Sequence, residues 1–171
     1  MLVVLADHSM DWSRPDSLIT LQPRFDADPT LAGRFVIADN GGADLVYWTG
    51  PAAGRTAAVQ RIRSIAAATP GVLSTHLPSE LSLSPRAGDV VVYCRAGYRF
   101  SDPSVTSNPI PGNHGHPATL PIPFFIAGGS PLVAPGTSST ATARTVDVAP
   151  TVGTVFGVSA PTGGYDGTSR L

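Results

Sequence analysis

The chain has 171 residues, enough for one domain with a sizeable core and too few for two comfortable ones. With 42% hydrophobic and 13% charged residues, it reads as globular and not disordered. All eleven basic residues are Arg, and a formal charge of -1 leaves no electrostatic footprint for nucleic acid or an anionic membrane. Cys94 stands alone, so no intrachain disulfide can form. No apolar run approaches the roughly 20 residues of a membrane-spanning helix, and the opening run lacks the basic flank and length of a signal peptide. The compartment is left unassigned. Seventeen Pro and eighteen Gly imply long, irregular connections between elements.

Residues 2–6 form a continuous apolar run that ends abruptly in Asp7-His8-Ser9-Met10. Such a run suits a parallel strand covered on both faces. Polar groups at its carboxyl end would sit where open α/β sheets bind their ligands. Adjacent Asp and His can both reach one metal ion if the chain turns sharply. Strands also end in Asp followed by a polar residue simply because the chain is turning.

A Pro- and Asp-rich stretch follows to Pro29, with one extended candidate at residues 18–21. Residues 34–39, Asn40-Gly41-Gly42 and residues 43–48 read as a β-hairpin, with Asn-Gly supplying positive φ angles at the turn. Residues 55–68 are predicted helical: Val59, Ile62, Ile65 and Ala66 recur at three- and four-residue spacing, with Arg61 and Arg63 off that stripe. Thr69-Pro70-Gly71 stops the helix, and residues 72–75 read as a short strand. This strand–strand–helix–strand block, 34–77, suggests an α+β subdomain inserted between parts of a larger sheet.

Gly88-Asp-Val-Val-Val-Tyr-Cys94 is the second strong apolar strand, with 95–100 its continuation or a hairpin return. Residues 101–123 form a long polar loop containing Gly112-Asn113-His114-Gly115-His116-Pro117. Residues 121–127 are predicted as a third buried strand, ended by Gly128-Gly129, and a Ser/Thr/Pro/Gly stretch runs to Ala143. Residues 145–157 read as a final helix capped by Gly157, with Val148, Val152, Val155 and Phe156 inward.

Four His are present: His8, His76, His114 and His116. His114 lies between two Gly in a long loop, where backbone can approach a ligand closely. Loops this long without regular structure are uncommon unless functional or disordered. If His114 points inward, His116 is expected to point elsewhere or to support it from behind. His76 has no partner in sequence and reads as structural. Asp7, His8 and His114 make an N/O ligand set suited to zinc or a similar divalent ion. Asp11 and Asp102 could add a carboxylate, though nothing local singles them out. Gly128-Gly129 lacks the GxGxxG or GK[ST] pattern of a phosphate loop.

The run ending in Asp7-His8-Ser9-Met10 resembles the Asp-His-Gly-Met motif of the alkaline phosphatase superfamily, in its type I phosphodiesterase/nucleotide pyrophosphatase branch. Gly112-Asn113-His114-Gly115 is similar to that branch's downstream G-x-H-G motif. Gly88-Asp-Val-Val-Val-Tyr with Gly97-Tyr98, the strand Ile122-Pro-Phe-Phe-Ile-Ala-Gly128 and the helix around 146–151 follow in the family's order. The resemblance implies an α/β fold: a partial alkaline-phosphatase-like sheet with flanking helices and the inserted subdomain, all one partial catalytic domain over 1–171.

It also implies a two-metal, usually dizinc, hydrolase of phosphate-ester or nucleotide-like small molecules. Asp7 and His8 would hold one ion, which in the family also activates a Ser or Thr nucleophile. His114 would hold the second ion, which activates the attacking water. Each ion neutralises one apical oxygen of an in-line displacement. Both imidazoles must bind in the neutral form, so activity is expected to fall in acid. Ser9 replaces the family's usual Gly, and His116 stands where an aromatic residue is common. The family's nucleophile and remaining ligands precede the Asp-His motif, so the 171 residues are expected to match only the C-terminal part of the domain and to be inactive in isolation. A missing N-terminal half is the partner implied. A non-catalytic α/β binding or scaffold domain of the same fold is the alternative, and a sulfatase-like or phosphonate-cleaving relative also fits.

Overall fold

The computed structural model describes residues 1–101 and 111–171. In chain order the first elements are β1 (Leu2–Leu5), β2 (Asp11–Trp12), β3 (Leu18–Ile19), α1 (Gln22–Asp26), β4 (Phe35–Asn40) and β5 (Ala43–Trp48). Next come α2 (Arg55–Ala67), β6 (Val72–His76), β7 (Val90–Cys94), β8 (Arg99–Phe100), β9 (Gly112–Asn113), β10 (Phe124–Ala127) and α3 (Val148–Phe156). The result is a mixed α/β chain with small sheets. It divides into a central unit, His8–Pro121, and a terminal unit made of Met1–Asp7 and Ile122–Leu171.

The central unit is built on a four-stranded antiparallel sheet of order β4-β5-β7-β6. The sheet formed by residues 34–77 thus takes an inner strand, β7, from beyond that range. β7 is apolar throughout because it is inner and covered: Val90, Val91, Val92 and Cys94 are all buried. α2 lays Ala58, Ile62 and Ala66 into the core, with Val59 and Ile65 partly covered beside them. Its Arg residues stay off that face. Arg61 pairs with Asp28 at 2.5 Å, and Arg63 reaches Thr75 and Glu80. Phe25 of α1 meets Phe35 of β4 edge to face, ring centroids 5.2 Å apart.

Several expectations are corrected. The hairpin forms, but its two-residue turn is Gly41-Gly42, closed by the pair Asn40↔Ala43, and the positive φ falls on Gly41 (67°). Glycine at the first central position suits the twist of the flanking strands. Residues 95–100 neither continue β7 nor fold back on it: after a bend, β8 pairs in parallel with β3. The stretch before Pro29 holds a short helix, α1, whose Pro23 sits in the first turn where no donor is lost.

In the terminal unit, β1 pairs antiparallel with β10 and is not a covered parallel strand. Leu2, Val4 and Phe125 share one face of that pair and are 60%, 44% and 63% exposed. A run of apolar residues reports a demand for cover, not the direction of the neighbouring strand. The final helix forms as expected and ends at Gly157 in the left-handed region (φ 62°). Phe156, expected inward, is exposed; the buried positions are Pro150, Thr151 and Gly153. No helix among the described residues is long and apolar enough to cross a membrane.

Candidate functional site

Two short pairings in the central unit bring the candidate residues together. β2 pairs with β9 through Asp11↔Asn113 and Trp12↔Gly112. The Ser9 amide donates to the Thr119 carbonyl at 2.8 Å, and the Ser9 hydroxyl donates to the Pro121 carbonyl. Residues just after the first apolar run are therefore zipped along the loop that carries His114. His8 and His114 stack face to face, ring centroids 3.9 Å apart and planes 13° from parallel.

The His8 ring is oriented by its own backbone. Nδ1–H donates to the Ser9 carbonyl at 2.9 Å, which puts the in-plane lone pair on Nε2. Asp7 immediately precedes His8 and closes the first segment of the terminal unit. Asp102 lies outside the described residues. His76 sits away from the stacked pair: Nε2 is 2.9 Å from Ser74 Oγ, and its ring tilts against Tyr93.

His116 supports the loop from behind, one of the two expectations for it, but through a pairing with Asp11 that the sequence does not announce. His116 is fully buried and donates from Nε2 to Asp11 Oδ2 at 3.0 Å. The same oxygen accepts the Gly97 amide at 2.7 Å, while Oδ1 accepts the Trp12 amide at 3.0 Å. With its lone pairs so engaged, Asp11 braces the loop and is not presented as a ligand. His116 Nδ1 is buried with no hydrogen-bond partner, as is Asn113 Oδ1.

A second buried carboxylate lies in β5. Asp44 shares the strand face of Val46 and Trp48, is buried, and has an Oδ1 without a partner. Burial, with Asp39 across the hairpin, pushes it up to about 8. Burial, then the nearby Asp11 and Asp44 charges, push the Cys94 thiol up to about 12. A thiol so disfavoured as thiolate is an inert core group, not a nucleophile.

Imidazole nitrogens such as those of His8 and His114 are a donor type that can bind a divalent ion. Nearly parallel stacked rings hold their lone pairs in separate parallel planes, so the two nitrogens cannot converge on one ion. Among the described residues no three His, Cys, Asp or Glu side chains gather as a complete metal site. His8 and His114 bring two imidazoles face to face. A shallow hollow of about 510 Å³ in the terminal unit is lined by Val146, Val148, Val152, Val158 and Tyr165, and holds no set of ligands.

No protein-family model matches the sequence, and no curated protein matches it significantly. Solved structures do match. Phosphonoacetate hydrolase from Sinorhizobium meliloti 1021, solved with phosphonoacetate, superposes with a TM-score of 0.57 at 16% identity over 71% of this chain. The match is to part of an alkaline-phosphatase-like fold. Murine ectonucleotide pyrophosphatase/phosphodiesterase 5 superposes with a TM-score of 0.53 at 17% identity, again over 71% of this chain. The same murine protein, as an inactive variant in complex with AMP, gives a TM-score of 0.51 at 16% identity. At such identities the likeness establishes the fold. This chain spans about a third of those structures, 34% of the hydrolase and 32% of the murine protein.

Proposed function

We propose that this chain is the C-terminal portion of a metal-dependent phosphoric-ester hydrolase, closest in kind to a phosphodiesterase/nucleotide pyrophosphatase. Asp7 and His8 would hold one of two divalent ions, with zinc the natural choice for an N/O donor set, and His114 would hold the other. Bound ions of this kind neutralise the oxygens of an in-line displacement. The chain's own contribution would be to fix two imidazoles side by side. The nucleophile and the remaining ligands would come from polypeptide outside these 171 residues. Substrates would be phosphate-ester or nucleotide-like small molecules, in keeping with the AMP and phosphonoacetate held by the matched proteins.

The observation that carries this reading is the His8–His114 stack, formed between residues far apart in sequence. Its chemical half is tested by giving the isolated chain zinc and bis(p-nitrophenyl) phosphate. No turnover above buffer is expected. Robust turnover abolished by His114→Ala would mean that the nucleophile lies within this chain, contrary to the proposal.

A further inference from the structure

The structure assigns a positioning role to Asp11, His116 and Gly42: together they hold the loop so that the His114 ring lies on His8. The role rests on reading His8 and His114 as the functional pair, and it names residues that the metal motifs do not include. His114 is held on both sides by one residue. Before it, Asn113 is paired with Asp11 in the β2–β9 ladder. After it, His116 donates to the Asp11 carboxylate at 3.0 Å. Asp11 is itself held by the Gly97 and Trp12 amides, so it is a fixed post and not a mobile side chain.

The third support comes from the hairpin turn. The Gly42 amide donates to the His114 carbonyl at 2.9 Å, and the Gly42 carbonyl accepts the Cys94 amide at 3.1 Å. A Cβ on Gly42 would run into His116 Nδ1 and the His114 carbonyl oxygen. Glycine there lets the β4–β5 turn press against the loop backbone, which ties the loop to the sheet through β7. The buried Nδ1 of His116, facing that glycine without a partner, is what tight backbone approach leaves behind. Gly115, at φ 99°, turns the chain between the two histidines, and its amide is held by Thr119 Oγ1 at 3.2 Å.

The test reads the geometry directly. Proton shifts of the His8 and His114 rings, read by carbon-edited NMR, should carry a mutual ring-current signature in the wild-type chain. Asp11→Ala and His116→Phe should abolish it and weaken zinc binding by about ten- to a hundredfold, the usual effect of losing a residue that orients a ligand. Asp11→Asn, which keeps an acceptor oxygen, should retain most of the signature. Gly42→Ala should lose it. Ile62→Val, placed in the core under α2, lowers stability and should leave ring shifts and zinc affinity unchanged. Ring shifts unaffected by Asp11→Ala and His116→Phe, or disturbed equally by Ile62→Val, would overturn the assignment. The ring shifts need no metal: if the wild type binds no zinc, the metal reading fails while the positioning role is still decided by the shifts.

Discussion

Each of the two units is stabilised internally by a different physics. The central unit is an apolar core: Phe25, Ile62, Val90, Val92 and Leu31 are wholly or almost wholly buried between a sheet and α2. The terminal unit leaves Leu2, Phe125, Phe156 and Val158 exposed and is tied by a polar knot. At its centre, buried Asp147 accepts the Arg144 and Thr168 amides and pairs with Arg170 at 2.5 Å. Thr151 completes the knot, donating to the Asp147 carbonyl at 2.6 Å and accepting the Arg170 amide at 3.0 Å. An apolar core fails when cavities open, whereas a knot around one carboxylate fails when that carboxylate is protonated.

The sharpest way to break the contrast is to cut a large side chain from each unit. Phe25→Ala in the central unit should cost about 3–5 kcal/mol in urea unfolding, because a fully buried ring leaves a cavity. Phe156→Ala in the terminal unit removes a ring of similar size that is 72% exposed, and its effect should stay within about 0.5 kcal/mol. Equal losses would erase the distinction.

One buried carboxylate in each unit, Asp44 and Asp147, should contribute to pH dependence in opposite directions. Asp44 is raised to about 8, chiefly by burial. Between the ordinary carboxylate value of about 4 and 8, the native state keeps a proton that the unfolded state has lost, so stability falls as pH rises, by about 1.4 kcal/mol per pH unit from this group. Asp44→Asn should flatten that slope in urea midpoints measured from pH 5 to 8; an unchanged slope would show that Asp44 is ionised in the folded protein. Asp147 is lowered to about 2 by the Arg144 and Thr168 amides and then by Arg170. Its stabilisation is present above the ordinary carboxylate range and is lost as pH falls toward 2. Asp147→Ala should reproduce that loss at neutral pH, seen as fast hydrogen exchange at the Thr168 and Arg170 amides. Slow exchange in the variant would mean that the tail is held elsewhere.

The smallest expected effect concerns the β1–β10 pair. Leu2→Ser with Phe125→Ser should leave the unfolding midpoint nearly unchanged and raise the concentration at which the chain stays monomeric, since an exposed apolar strand face invites association. A large drop in midpoint would show that this face contributes to folding.

Local pattern in the sequence carried much of this. The spacing of Ile62 and Ala66 sets the buried face of α2, the Gly pair sets the hairpin, and Gly157 sets the end of α3. The stacking partner of His8 could be suspected only from motif resemblance, because nothing in residue spacing links positions so far apart. Asp11–His116 was less legible still: two polar residues in separate loops look alike whether they meet or face water. Asp44 left a trace that could have been read, a carboxylate at a hairpin position whose alternate neighbours, Val46 and Trp48, belong to the core. The misreading of β1 has the same root, since hydropathy reports burial demand and is silent on which strand answers it.

His8 and His114, with Asp7, are proposed as ligands for a pair of ions. Zinc titration by calorimetry, on the wild-type chain and on Asp7→Ala, His8→Ala and His114→Ala, tests this proposal most directly. Weak zinc binding by the wild type, lowered at least tenfold by each substitution and lost in mild acid, is the predicted result. Binding indifferent to all three substitutions, or none at all, would contradict the account and leave a scaffold of the same fold.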